Sequence, residues 1–466
     1  MPFNSIGFAI FLPVFLLLYY AVSSRTNWRD VLLLVGSYFF YMSWYWQYAG
    51  LIVLSTVVDY WIGRQLAQVD EQSKRKLLVT LSVVVNLGIL AIFKYYNFFI
   101  DSTQASFAAV GIQIPDLYHQ LLLPVGISFY TFQTLSYTID VYRRKIPHEP
   151  SFIKFAVFVS FFPQLVAGPI VRAKDFLPQI NRPTAIRSDD IDTGLKLIAI
   201  GLFKKIVIAD LLAFLIVDSV FAEPSAYSSW DLMLALYAYT FQIYCDFSGY
   251  SDIAIGVALL LGFRLPINFD RPYIAQNPSE FWRRWHISLS SWLRDYLYIS
   301  LGGNRGPKWM TSRNLLLTML LGGLWHGAAW NFVLWGAFHG LILILFRSLK
   351  TEESFNGKAA LKMFLNFHLI IFGWLLFRVT GMDNFVDYVA GIGALTSGSV
   401  VSPLVYLILI GAALAHFVPR DFVLTRWLET TFDRSPVFVR SAAYAGLVFL
   451  FVGASVGAPT FIYFQF

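Results

Sequence analysis

Between Asn314 and Phe346 this chain contains no Asp, Glu, Lys or Arg. Similar stretches, uncharged or nearly so, recur at residues 6–22, 31–58, 77–93, 121–139, 155–171, 206–222, 232–262, 315–346, 404–418 and 441–466. A helix crossing a bilayer needs about 20 mostly apolar residues, because its backbone groups find no water to bond with. With the longer stretches split, the pattern predicts an all-α polytopic membrane protein of roughly ten to twelve segments. Only 14% of residues are charged, against about a quarter in soluble domains. The longest polar stretch, residues 264–313, is itself rich in aromatics, so one membrane-embedded domain over residues 1–466 is expected. The N-terminus lacks a positive leader and a small-residue cleavage site, so residues 6–22 are expected to persist as a helix.

Placement of the basic residues orients the segments, since Lys and Arg in short loops mark the cytoplasmic side. Residues 101–120, 218–231 and 382–402 carry acidic residues but no Lys or Arg and are assigned outside. Basic clusters at Arg25/Arg29, 74–76, 143–145, 172–187, 264–313, 347–358 and 420–440 are assigned inside, which leaves both termini outside. Residues 152–171 and 315–346 have basic residues at both ends, so each is expected to enter and leave on one face. FPQLVAGP at 162–169 predicts a broken helix, and the Gly322–Gly323 and His326–Gly327 pairs predict interruptions in the second. Broken backbone at membrane depth is tolerated where it lines a cavity or is buried in protein, which implies re-entrant segments around a central cavity. An ionisable side chain at that depth is a functional candidate, and His326 lies near the expected turn. The bland alternative is two complete short spans with His326 merely hydrogen-bonded between helices.

NPSEFWRRWHISLSSWLRDYLYISLGGNRG, residues 277–306, opens on a helix-start signal: Asn277 as cap, Pro278 in the first turn, and Glu280 near the positive helix end. Trp282, Trp285, Leu289, Trp292, Leu293, Tyr296 and Leu297 follow at three- and four-residue steps, an apolar stripe. Arg283, Arg284, Arg294 and Asp295 make a spanning helix costly, so an interfacial amphipathic helix is expected. It either anchors the protein to lipid headgroups or forms a basic rim for a phosphate-bearing donor, with His286 near the cavity mouth.

FWRRWHISLSSWLRDYLYI at 281–299 followed by GLWHGA at 323–328 resembles the pattern of the membrane-bound O-acyltransferases, in particular their bacterial exopolysaccharide branch. LPVGISFYTFQ at 123–133, FFPQLVAGPI at 161–170, DFSGYSDIAIG at 246–256 and the ending FIYFQF are similar to that branch too. The resemblance implies a ring of helices around a thin central region and a funnel from the cytoplasm to a catalytic histidine. His326 stands at that position, with His286 at the second family histidine. Arg283, Arg284, Arg294 and Arg305 are the expected donor-binding groups, and Trp325, Trp285, Asp295 and Asn304 flank these sites as supporting residues. D-alanine transferases acting on teichoic acids share both histidine motifs.

The expected reaction is acyl transfer from a cytoplasmic thioester, acetyl-coenzyme A, with His326 as general base. Imidazole suits that role because its ordinary pKa is near 6.5, and an acetyl-imidazole is the nucleophilic variant. The implied acceptor is an alginate- or cellulose-like polysaccharide outside the bacterial inner membrane, reached through an acetyl-relay partner protein. Neither a bound cofactor nor a nucleic-acid partner is expected. The alternatives are D-alanyl transfer from a carrier protein and, in a different class, a transporter. No paired halves of matching hydropathy accompany the latter. His339 reads as a packing histidine, and Cys245, the sole cysteine, as packing too. Asp246 and Asp252 are expected to pair with arginines, orient a histidine or hold an ion. His119, His148, His368 and His416 stand apart, so no metal motif such as HExxH emerges, and no G-x-S-x-G elbow is present.

Overall fold

The computed structural model describes residues 1–115, 117–119, 121–348, 359–418 and 430–454. The FIYFQF ending and residues 349–358 and 419–429 of two inside loops lie outside the described residues. The described chain is helical, with no strand among the described residues. Five helices are long and apolar enough to cross a membrane, at Gln72–Ala109, Ser229–Leu260, Trp330–Ser348, Ala359–Arg378 and Val437–Ala454, and Ile6–Val22 and Pro403–Phe417 are shorter apolar helices. This is a multi-pass, all-α membrane protein. It divides into two compact units, one of Met1–Leu195, Ala254–Pro266 and Gly327–Ala329, the other of Lys196–Ile253, Ile267–His326 and Trp330–Phe466.

In the first unit, α1 (Ile6–Val22) starts where the Ser5 hydroxyl accepts a bond from the Phe8 amide. Helices α2 (Thr26–Met42), α3 (Ala49–Gln68) and α4 (Gln72–Leu90) follow. A π-helical turn at Ala91–Tyr95 carries α4 into α5 (Tyr96–Ala109), and α6 (Ile127–Tyr142) is buried along almost its whole length. Several polar side chains inside this unit bond one another. The buried Asp59 carboxylate of α3 accepts from Ser82 and Asn86 of α4 and Thr138 of α6. Arg29, fully buried, spreads its donors over Asp30, Thr184 and the carbonyls of Ile180 and Arg182. The break expected in FPQLVAGP occurs: α7 (Phe152–Ser160) stops at Phe161, and a single turn, α8 (Phe162–Leu165), follows, with Pro163 in its first turn. Helices α9 (Ala173–Ile180) and α10 (Ser188–Leu202) complete the run.

In the second unit, a π-helical stretch at Phe203–Asp210 presents two lysines to α12 (Ser229–Leu260), with α11 (Asp218–Ala222) between them in sequence. Lys205 bridges Asp246 at 2.8 Å and Asp210 at 2.7 Å, and Lys204 pairs with Asp252 at 2.6 Å. The two carboxylates expected to meet arginine, histidine or an ion therefore meet lysine. Backbone proximity explains this, because a Cβ on Gly249 would lie only 3.2 Å from that of Lys204.

After α13 (Pro278–Arg284) and α14 (Ile287–Trp292), α15 (Lys308–His326) and α16 (Trp330–Ser348) form a hairpin. Gly322 and Gly323 do not interrupt it, contrary to expectation; α15 continues through them and ends at His326. Their neighbourhood shows why the residues are small. A Cβ on Gly323 would lie 3.2 Å from the Gly336 backbone, one on Gly336 3.0 Å from Leu320 Cα, and one on Gly340 3.2 Å from Leu316 Cα. Small residues at four-residue spacing let helix backbones touch, and here they do so along the sequence G-A-F-H-G. The remaining helices are α17 (Ala359–Arg378), α18 (Met382–Gly393), α19 (Pro403–Phe417) and α20 (Val437–Ala454). Replacing Gly336 with Val should therefore prise α15 from α16 and cost at least the ~1–3 kcal/mol typical of overpacking. The measurement is the thermal midpoint and monodispersity of the detergent-extracted protein; a native-like Gly336→Val protein would contradict the close approach.

Candidate active site

The collar does not fold as one helix. Asn277 caps α13 as expected, its Oδ1 accepting from the Glu280 amide at 2.8 Å. Helix α13 then ends at Arg284, and His286 takes a left-handed conformation (φ +43°) before α14 begins at Ile287. After Trp292 the chain continues as a π-helical stretch, Leu293–Tyr298. Trp285, Leu289, Trp292, Leu293 and Tyr296 of the expected stripe are nonetheless buried, because the break redirects the chain without exposing them. Its cause is tertiary: the Ile287 amide donates at 2.9 Å to the carbonyl of Asn268, which lies far earlier in the chain than any helical partner.

That break turns His286 inward. Its ring is fully buried, edge-on to Phe247 at 4.6 Å, 5.9 Å from Trp325 and 6.4 Å from the ring of His326. His326, the last residue of α15, is itself buried and meets Trp325, Trp335 and Phe377 edge-on at 5.0, 5.1 and 5.3 Å. Two histidines from distant motifs thus become neighbours inside an aromatic wall.

His326 lines a cavity of about 260 Å³. Helix α15 contributes one face of it, Leu315, Thr318, Met319, Gly322 and His326, at three- and four-residue steps. The π-helical stretch contributes Leu293, Arg294 and Tyr298, and α16 contributes Trp335, Leu343 and Arg347 at multiples of four. π-Helical turns of this kind recur at functional sites. The lining is mainly apolar, with two guanidinium groups among it. A mainly apolar lining that includes one imidazole and two guanidinium groups suits a ligand with an apolar part and an anionic one.

Of the four arginines expected there, Arg294 lines the cavity, exposed and paired with Asp295 at 2.7 Å. Arg284 is engaged elsewhere, with Glu280 at 2.9 Å and Asp270 at 3.1 Å. Arg283 and Arg305 are exposed and not among the lining residues, as is Asn304. Trp285 and Trp325 are buried beside the histidines, with Trp285 packed 4.7 Å from Trp374. Sequence reasoning misses Arg347, which reads as one more inside-loop charge; the signal that could find it is the four-residue stride Trp335, His339, Leu343, Arg347. His339 is fully buried among Trp335, Trp282 and Phe338 at 4.7–5.3 Å.

The membrane-bound O-acyltransferase family model matches residues 33–382. This chain belongs to that family. It is similar to the probable alginate O-acetylase AlgI of Azotobacter vinelandii, 48% identical over 388 residues that cover 82% of this chain and 76% of that protein. It is 35% identical to the peptidoglycan O-acetyltransferase of Helicobacter pylori, over 84% of this chain and 79% of that one. The teichoic acid D-alanyltransferase of Bacillus subtilis is more distant, 27% identical over 56% of this chain and 69% of that protein. The membrane-bound O-acyltransferase fold thus hosts an O-acetyltransferase here, and the WHG motif of the family is the one that ends α15.

Burial pushes the His286 imidazole down from its ordinary 6.5 to about 3, since apolar surroundings disfavour the charged form. His286 is therefore neutral at physiological pH. The unfolded chain takes up this proton first, so the associated stability is fully present above pH 6.5 and is lost as pH falls from there toward 3. The thermal midpoint should accordingly fall on acidification below 6.5, less steeply in His286→Gln; identical slopes would show that His286 does not titrate in this way.

Proposed function

We propose that this protein takes an acetyl group from acetyl-coenzyme A on the cytoplasmic side of a bacterial inner membrane and passes it outward for O-acetylation of an exopolysaccharide of the alginate type. The observation that carries the reading is that His326 lines a mainly apolar cavity whose wall also holds Arg294 and Arg347. The A. vinelandii and H. pylori relatives, named for O-acetylation of alginate and of peptidoglycan, support it. D-alanyl transfer from a carrier protein is the second reading, and the lower identity and coverage of the B. subtilis relative weigh against it.

In this mechanism the pantetheine arm lies along the apolar wall and the thioester carbonyl stands beside His326. The imidazole takes the proton of an acceptor hydroxyl as that oxygen attacks the carbonyl carbon. The carbon–sulfur bond breaks, and the thiol leaves with a proton returned by the imidazolium. General base catalysis of this kind contributes typically ~10²–10⁴ in rate. His286, neutral and adjacent, adds a second imidazole without adding charge. The acceptor is a hydroxyl of a relay protein or of the polymer, approached from outside.

The direct test is thioester consumption by purified protein. His326→Ala should reduce it by at least about a hundredfold while the protein extracts as a folded, monodisperse species; activity within a few-fold of native would remove His326 from the base role. Arg347→Gln and Arg294→Gln address the donor. Guanidinium groups match phosphate oxygens, and an exposed phosphate contact is screened by salt. Each variant should raise the KM for acetyl-coenzyme A and weaken its dependence on ionic strength, with little effect on a short thioester lacking the nucleotide phosphates. An unchanged KM for acetyl-coenzyme A in both would sink the phosphate contact.

A further inference from the structure

Asn268, far from His286 in sequence and in neither histidine motif, is tied to the turn that aims that ring. The residue is 1% exposed. Its carbonyl accepts from the Ile287 amide at 2.9 Å, and its Oδ1 accepts from both the amide and the hydroxyl of Ser288, at 3.2 and 2.9 Å. Its Nδ2 donates to the Ser251 hydroxyl of α12 at 3.3 Å. One pairing further on, the Asp270 amide donates to the Arg284 carbonyl at 2.9 Å. Residues 268–270 therefore grip the chain on both sides of His286, a non-glycine residue held at positive φ. Such backbone is strained by about 1–3 kcal/mol and persists where surrounding structure over-determines it.

We propose that Asn268 is the positioning residue that sets the His286 imidazole against His326. This rests on the reading of those two histidines as the reacting centre. The carboxamide suits that role, since its oxygen serves two donors of the same residue while its nitrogen reaches a third group on another helix. No other uncharged side chain of that length has both functions. Ser251 sits one helical turn from Phe247 on α12, and Phe247 meets the His286 ring edge-on. Asn268 thus links the backbone that carries the imidazole to the helix that walls it. Asn268 is not among the residues lining the cavity, so its effect should fall on the chemical step and spare donor binding.

The test is a double-mutant cycle on purified protein, with acetyl-coenzyme A as the probe and thioester cleavage followed in a single turnover as well as at steady state. Misplacing a reacting group by about 1 Å can cost on the order of a hundredfold. Asn268→Ala is expected to lower kcat by about ten- to a hundredfold and leave the KM for acetyl-coenzyme A unchanged. Added to His286→Gln it should cause no further loss, because a residue acting only through His286 has nothing left to position. Ser288→Ala removes one of the two bonds to Oδ1 and should lower kcat in the same direction by a smaller factor, which keeps the proposal testable if Asn268→Ala fails to fold. The proposal is overturned by an equal further loss in the His286→Gln background, by native kcat in Asn268→Ala, or, where that variant does not fold, by native kcat in Ser288→Ala. Native kcat in His286→Gln overturns it too. His326→Ala, measured alongside, separates the two layers: full activity there defeats the functional reading itself, whatever Asn268 does.

Discussion

The close approach of α15 to α16 is the constraint from which the rest of the site follows. Because Gly323, Gly336 and Gly340 carry no Cβ, the two backbones meet along G-A-F-H-G. Helix association in lipid has no hydrophobic driving force between apolar surfaces and relies on such packing. Once the two are locked, the face of α15 at Leu315, Thr318, Met319, Gly322 and His326 has nowhere to go but the cavity. Gly322 belongs to this face as well, where its missing side chain leaves volume beside Leu293 and its neighbours. The same residue type therefore acts in two ways on one helix, closing the hairpin on one side and opening the chamber on the other.

Around the two imidazoles the protein sets aromatic rings. His326 meets Trp325, Trp335 and Phe377, and His286 meets Phe247. Aromatic ring edges carry partial positive charge and their faces partial negative charge, so ring packing of this kind orients an imidazole. Buried charges at other places in the protein are paired. Lys204 and Lys205 are paired with Asp252, Asp246 and Asp210, and Arg29 is enclosed by Asp30 and three oxygen acceptors.

How much of this is legible in the sequence depends on the distance over which each feature is decided. The Asn277 cap and the break at FPQLVAGP follow from residues within one turn, and both appear where the local chemistry puts them. The hairpin ending at His326 is legible for a related reason, since a charge-free stretch with basic residues at both ends has few ways to lie. The collar reads as one helix because its period is right and its interruption is not local. No rule acting within residues 281–292 anticipates that His286 turns left-handed; the acceptors that hold the turn lie on Asn268. Gly322–Gly323 misleads in the opposite sense. Glycine weakens a helix in isolation, but between packed helices its small size is what the packing needs, and only the partner at Gly336 reveals that.

The arginines show the same division between composition and placement. A basic, aromatic stretch at residues 264–313 suggests a phosphate-binding rim, but only geometry separates its members. Arg284 joins α13 to the loop before it, its Nε donating to Glu280 and its Nη1 to Asp270. Arg283 and Arg305 are exposed and lie off the cavity. Arg294 lines the cavity from the π-helical stretch, and Arg347 from the face of α16 that also presents Trp335 and Leu343. In the proposed reaction a phosphate-bearing donor would meet Arg294 and Arg347, two exposed cations from different elements, through contacts that are reversible and sensitive to salt, while the apolar lining they share with His326 would hold its arm.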